Sequence, residues 1–219
     1  MVLCTRPPLI ASTHPLEQRL ELRVGRLLPM YNGTRRQTRR MADRQFARVP
    51  VMLITGPVGV GKSTIAGEAV CQLRDADIAH AYVDLAQIAA CWPTPADDPW
   101  HERLVHRNLA CMWSNFREAG AHRLVLSRVL EARSLLRRVE SAVPGAEITV
   151  IRLRAPLALL HARVRAREAG RDPQWYLDAA TYLAAQMDAA RVEDHVIDNA
   201  ERPASDVAAE ALRLAEWLA

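Results

Sequence analysis

From residue 49 onward the chain alternates two kinds of apolar pattern. Val51-Met52-Leu53-Ile54-Thr55, Ala79-His80-Ala81-Tyr82-Val83, Arg123-Leu124-Val125-Leu126-Ser127, Ile148-Thr149-Val150-Ile151-Arg152-Leu153 and His195-Val196-Ile197-Asp198 are short runs of strand length. Between them, apolar residues recur at helical spacing. Residues 63–73 keep them on one face, residues 103–118 align Leu104, Val105, Leu109, Met112, Trp113 and Phe116, and residues 205–218 form a closing amphipathic helix. Strands alternating with helices predict an α/β fold: a three-layer αβα sandwich around a five-stranded parallel sheet, with ligands outside the strand C-termini. No repeat or low-complexity linker interrupts this stretch, so residues 49–219 read as one domain.

The first 48 residues have a different character. Leu16 to Leu28 offers a short helix, but prolines, arginines and weak periodicity dominate, and a poorly ordered extension is expected. Ten arginines against Glu17, Glu21 and Asp43 give this stretch a charge of +7; the whole chain carries +4, which leaves −3 for residues 49–219. The basic character therefore belongs to the extension. Arg35-Arg36-Gln37-Thr38-Arg39-Arg40 has no aromatic interleaving and no recognisable nucleic-acid module, so nucleic acid is not an expected partner. Met41 leads directly into the first strand and reads equally as a start; a transit-peptide reading is weakened by the scarcity of serine.

Four cysteines (Cys4, Cys71, Cys91, Cys111) lie 20 or more residues apart with no C-x-x-C, as expected of reduced thiols rather than a disulfide or zinc framework. No apolar stretch approaches the roughly 18 residues that a bilayer span needs, and no signal-peptide core is present. The expectation is a soluble, cytoplasmic protein with no membrane partner.

The decisive chemistry lies between the first run and the first helix. Gly56-Pro57-Val58-Gly59-Val60-Gly61-Lys62-Ser63-Thr64 fits G-x-x-x-x-G-K-[ST], and Lys62 is the only lysine in a chain that otherwise uses arginine. Glycines at 56, 59 and 61 let the backbone curl so that successive N–H groups and the helix N-terminus face an anion. Lys62 would reach the β- and γ-phosphates of a nucleotide, the Ser63 hydroxyl would ligate Mg²⁺, and Thr64 would contact the α-phosphate. ATP with Mg²⁺ is the expected cofactor pair. A GTPase is disfavoured, because a chain whose one lysine sits in this loop has no N-K-x-D base-reading motif.

With the loop and the element order in hand, the chain resembles the P-loop small-molecule and nucleotide kinases of the P-loop NTPase superfamily, a nucleoside-kinase-like group that includes chloramphenicol phosphotransferase, gluconate kinase, shikimate kinase and adenylylsulfate kinase. The likeness covers nearly all of residues 49–219, and the phosphate loop is its one highly specific motif. It implies that Asp84, ending the second strand, orients or deprotonates an acceptor hydroxyl and serves the metal; the alternative is an N-cap for a helix over 85–90. It implies a lid carrying Arg163, Arg165, Arg167 and Arg171, of which Arg163, Arg167 and Arg171 share a helical face. Arg163 and Arg167 are its catalytic candidates, and a solvated face partnered by Glu168 and Asp172 is the alternative. It also implies adenine contacts from Asp198, Asn199 and Arg202, against a plain turn and helix start.

One departure from the pattern is plain: the third strand ends in Ser127, where many P-loop proteins carry an aspartate behind Mg²⁺. Arg128 and Arg133, just beyond it, lie on the acceptor side and would read an anionic substrate. The loop Cys91-Trp92-Pro93-Thr94-Pro95-Ala96-Asp97-Asp98-Pro99-Trp100 would choose the acceptor, with Trp92 in its wall; otherwise its tryptophans pin the loop to the core. The expected function is transfer of the γ-phosphate of Mg-ATP to a small hydroxylated or nucleotide-like acceptor by a monomer or homodimer. A nucleotide-binding regulatory or interaction protein with little turnover is the rival from another class.

Overall fold

The computed structural model describes residues 48–170 and 172–218. Residues 1–47 of the basic extension, with the short helix read over residues 16–28, and Arg171 lie outside the described residues.

Five strands form one sheet: β1 (Val49–Thr55), β2 (His80–Asp84), β3 (Arg123–Ser127), β4 (Ala146–Arg154) and β5 (His195–Asp198). Their spatial order is β2-β3-β1-β4-β5, and every pairing is parallel. Parallel neighbours need crossover connections. The helices that supply them are α1 (Lys62–Asp75), α2 (Glu102–Glu118), α3 (Leu136–Ala142), α4 (Leu157–Arg167) and α5 (Gln174–Ala190), while α6 (Ala204–Leu214) follows the last strand.

Because helices cover both faces, the central strands are apolar on both sides rather than alternating. In β1, Val51 and Leu53 join a core with Val105, Leu109 and Trp113 of α2 and Val139 of α3. Met52 and Ile54, pointing the other way, join Ile65, Ala69 and Leu73 of α1 and Val207, Ala211 and Leu212 of α6. This is the expected three-layer sandwich. β4 also buries a charge: Arg152 is enclosed and paired with Asp188 and Glu193, with Nη1 donating to the Met187 carbonyl at 2.9 Å. The pairing neutralises a guanidinium that would otherwise be costly to bury.

The sequence reading departs from the structure at the end of β2. Residues 85–89 form turns, not a helix. Asp84 does cap there, but only locally: its Oδ1 accepts from the Ala86 N–H at 3.0 Å. The next helix waits until residue 102, and its first amides are held by Asp98, whose Oδ2 accepts from the Arg103 and Leu104 N–H groups at 3.0 and 3.1 Å. Hydrogen bonds to the ionised form keep the Asp98 carboxyl below its ordinary value, against the upward pull of desolvation.

Candidate active site

The loop after central strand β1 is clamped from three directions. Gly56 has φ +143° and Gly59 φ +81°, and a Cβ on either would stand 2.6 Å from the Leu153 carbonyl oxygen or 2.9 Å from that of Leu160. Only glycine fits such backbone against backbone. From the far side, Asn199 Nδ2 donates to the Val60 carbonyl at 2.6 Å, and Val60 itself is fully buried. β4, α4 and the segment after β5 thus fix the path of residues 56–60.

That path ends at Gly61, which starts α1 in the left-handed region, and no side chain caps the helix. The first amides of α1 therefore keep donors without helical partners, at the positive end of the helix dipole. Lys62 folds back over the loop, donating from Nζ to the Gly56 and Pro57 carbonyls, each at 3.0 Å. Burial pulls the Lys62 ammonium down to about 8; the Asp84 charge raises it in part, and Arg167 lowers it further. An ammonium held this way gains from an incoming anion.

A cavity of about 520 Å³ opens over these groups. It is lined by Gly59, Gly61, Lys62, Ser63, Thr64, Arg163, Arg167, Asn199 and Arg202, together with Ile65 and Ala204. The loop, Arg163 and Arg167 of α4 and the segment after β5, read separately from the sequence, meet here. Asp84 joins them through Ser63, whose hydroxyl donates to Asp84 Oδ2 at 2.6 Å. With that proton committed, the lone pairs of Ser63 remain for a cation. One hydroxyl and one carboxylate beside a phosphate cradle is a donor set that suits Mg²⁺, which keeps several waters and takes the rest from phosphates. The residues fit both groups.

The two lid candidates behave differently. Arg163 donates to three backbone carbonyls: Asn199 at 3.0 Å, Ala200 at 3.1 Å and Val60 at 3.4 Å. It ties the glycine loop of residues 56–61 to the segment after β5. Arg167 instead lies over the Tyr176 ring, 5.0 Å from its centroid, and pairs through Nε with Glu168 at 2.8 Å. Asp172 Oδ1 accepts from the Gln174 N–H at the start of α5, 2.9 Å away. Arg202 pairs with Glu210 of α6. Asp198 shapes the turn, its Oδ1 accepting from the Ala200 N–H at 2.9 Å.

Elsewhere the candidates take other places. Arg128 and Arg138 both bind Glu102, at the start of α2. Nearby, burial presses the His106 imidazole below its ordinary value; its bond to the Glu102 carbonyl opposes this, and the Arg128 charge adds to the fall. Arg133 turns to Asp194 at 2.7 Å and to the Val192 carbonyl at 3.0 Å. Trp92 and Trp100 are 90% and 80% exposed, so neither pins its loop to the core. Tyr82, which the sequence reading passed over as a strand residue, places its hydroxyl 3.0 Å from Ser127 Oγ. Its signal was available, two residues before Asp84 and therefore on the same face of β2.

No protein-family model and no curated protein sequence matches the chain. Among solved structures it is similar to a gluconokinase from Sinorhizobium meliloti 1021, at 20% identity and a TM-score of 0.51, over 78% of this chain and 96% of that one. It is also similar to the tunicamycin resistance protein of Deinococcus radiodurans, at 21% identity and a TM-score of 0.56, over 76% of this chain and 95% of that one. The fold is that of the P-loop kinases. At these identities the likeness carries the architecture, and the chemistry rests on the side chains.

Proposed function

We propose that the protein is an Mg-ATP-dependent phosphotransferase that moves the γ-phosphate to a small hydroxylated or nucleotide-like acceptor. The observation that carries this reading is the junction of Lys62, Ser63 and Asp84. It sets an ammonium, a cation-ready hydroxyl and a carboxylate side by side at the C-terminal edge of the sheet.

The roles follow from position. The amides of Gly59 and residues 61–64 and the Lys62 ammonium bind and orient the phosphate chain, exchanging the carbonyl partners of Lys62 for phosphate oxygens. Ser63 and Asp84 would hold Mg²⁺. When bound, it would supply positive charge against the charge that develops on the phosphoryl group in transfer. Each Asp84 oxygen has one donor and keeps a lone pair, so the carboxylate can orient an acceptor hydroxyl and take its proton as the new oxygen–phosphorus bond forms. The bond from the γ-phosphorus to its bridging oxygen breaks, and ADP leaves with that electron pair. Arg167 faces the cavity and is assigned the transferring phosphoryl group; Arg163, committed to carbonyls, is assigned to holding the nucleotide loop.

Calorimetric titration of the full chain with ATP and Mg²⁺ tests the site assignment. Binding that is lost in Lys62→Ala, with the unfolding midpoint preserved, supports it. Equal affinity in the variant removes the phosphate loop from the account.

A further inference from the structure

The oxygens at the ends of β2 and β3 form a connected set on the face of the sheet that α1 covers. Tyr82 and Asp84 share one face of β2, and Asp84 stands opposite Ser127 in the parallel register. Ser127 is only 1% exposed, a depth at which a hydroxyl needs a partner, and the Tyr82 hydroxyl at 3.0 Å provides it. Alongside, Ser63 Oγ binds Asp84 Oδ2.

We propose that Tyr82, held by Ser127, is a positioning residue for the divalent cation that Ser63 and Asp84 would bind, supplying neutral hydroxyls to the cation's outer shell in place of a second carboxylate. The inference rests on the phosphotransferase reading. Mg²⁺ gives up its waters reluctantly, and their protons need acceptors in the protein. Asp84 already accepts once at each oxygen, from Ala86 N–H and from Ser63, so its capacity for further donors is halved. The half-buried Tyr82 hydroxyl, anchored by the buried Ser127, is the neighbouring oxygen that can share the load. An aspartate at 127 would instead face Asp84 across the register as a second anion. The neutral pair avoids that repulsion and leaves the cation to be held mainly through the nucleotide.

The test separates metal from nucleotide by measuring the affinity of the full chain for ADP with Mg²⁺ and with EDTA. In the wild type, Mg²⁺ tightens ADP binding by a definite factor. Tyr82→Phe, which keeps the ring and loses the hydroxyl, is expected to cut that factor about tenfold, the lower end of outer-shell effects, with the EDTA affinity unchanged. Ser127→Ala, which frees the phenol from its anchor, is expected to move the factor in the same direction. A wild-type factor in both variants overturns the proposal, as does an equal loss with and without Mg²⁺. A wild type that binds no ADP under either condition overturns the phosphotransferase reading beneath it.

Discussion

Ser63 Oγ donates to Asp84 Oδ2 at 2.6 Å, joining the first turn of α1 to the last residue of β2. The bond couples the group that would bind the cation to the group that would take the acceptor proton. In Asp84→Asn the amide oxygen can still accept from Ser63, so the fold should survive, while the base and the charged group toward Mg²⁺ are lost together with the Ala86 cap. Single-turnover measurements should show ADP formation slowed by about 10²–10⁴-fold, the usual contribution of a positioned base.

Lys62 sets a pH dependence. Its free-state value of about 8 lies below the ordinary 10.5, and phosphate oxygens favour the ammonium, so binding raises it. Between about pH 8 and the value in the complex, nucleotide binding therefore takes up as much as one proton, and affinity falls by up to about tenfold per pH unit. Calorimetry at pH 9 in two buffers of different ionisation enthalpy reads this uptake directly. For the free protein the sign is opposite in effect: the burial cost is carried in full below about pH 8 and is relieved as pH rises toward 10.5, so the contribution of Lys62 to stability increases there.

Gly59→Ala should destabilise the fold by about 1–3 kcal/mol, because its backbone sits at φ +81° and the new Cβ meets the Leu160 carbonyl oxygen at 2.9 Å. Denaturant unfolding gives the figure. The same variant should weaken nucleotide binding, since relief of the contact displaces the loop from α4.

Asn199→Ala removes the 2.6 Å bond to the Val60 carbonyl, which is left with Arg163 at 3.4 Å. Leaving a buried acceptor poorly satisfied costs about 1–3 kcal/mol. Unfolding and ATP titration should both register the change, because Asn199 braces the loop as well as lining the cavity.

Much of this arrangement was readable before folding. β3 and β5 carry the limits that their apolar runs predict, and residues 56–61 form a glycine loop between a buried strand and a helix, as their spacing predicts. What could not be read was where long side chains go. Arginines 128, 133, 163 and 167 are alike in sequence, yet one pairs with Glu102, one with Asp194, one with backbone carbonyls and one with its neighbour Glu168, and only the last two line the cavity. The partners of the first three lie tens of residues away, where no local pattern encodes them; only the Arg167–Glu168 pair was readable locally. The turn after β2 was missed for another reason: Leu85–Ala90 has helix-forming composition, but Leu85 and Ala89 are drawn into the core under α2. Tyr82 looked like strand filler until Ser127 gave it a partner.

ADP release by the full chain with Mg-ATP, alone and with a panel of hydroxylated metabolites, nucleosides and aminoglycoside or phenicol antibiotics, tests the central claim most directly. The account predicts release that depends on one class of acceptor and disappears in both Lys62→Ala and Asp84→Asn. Release that no acceptor stimulates, or that persists undiminished in Asp84→Asn, would contradict it.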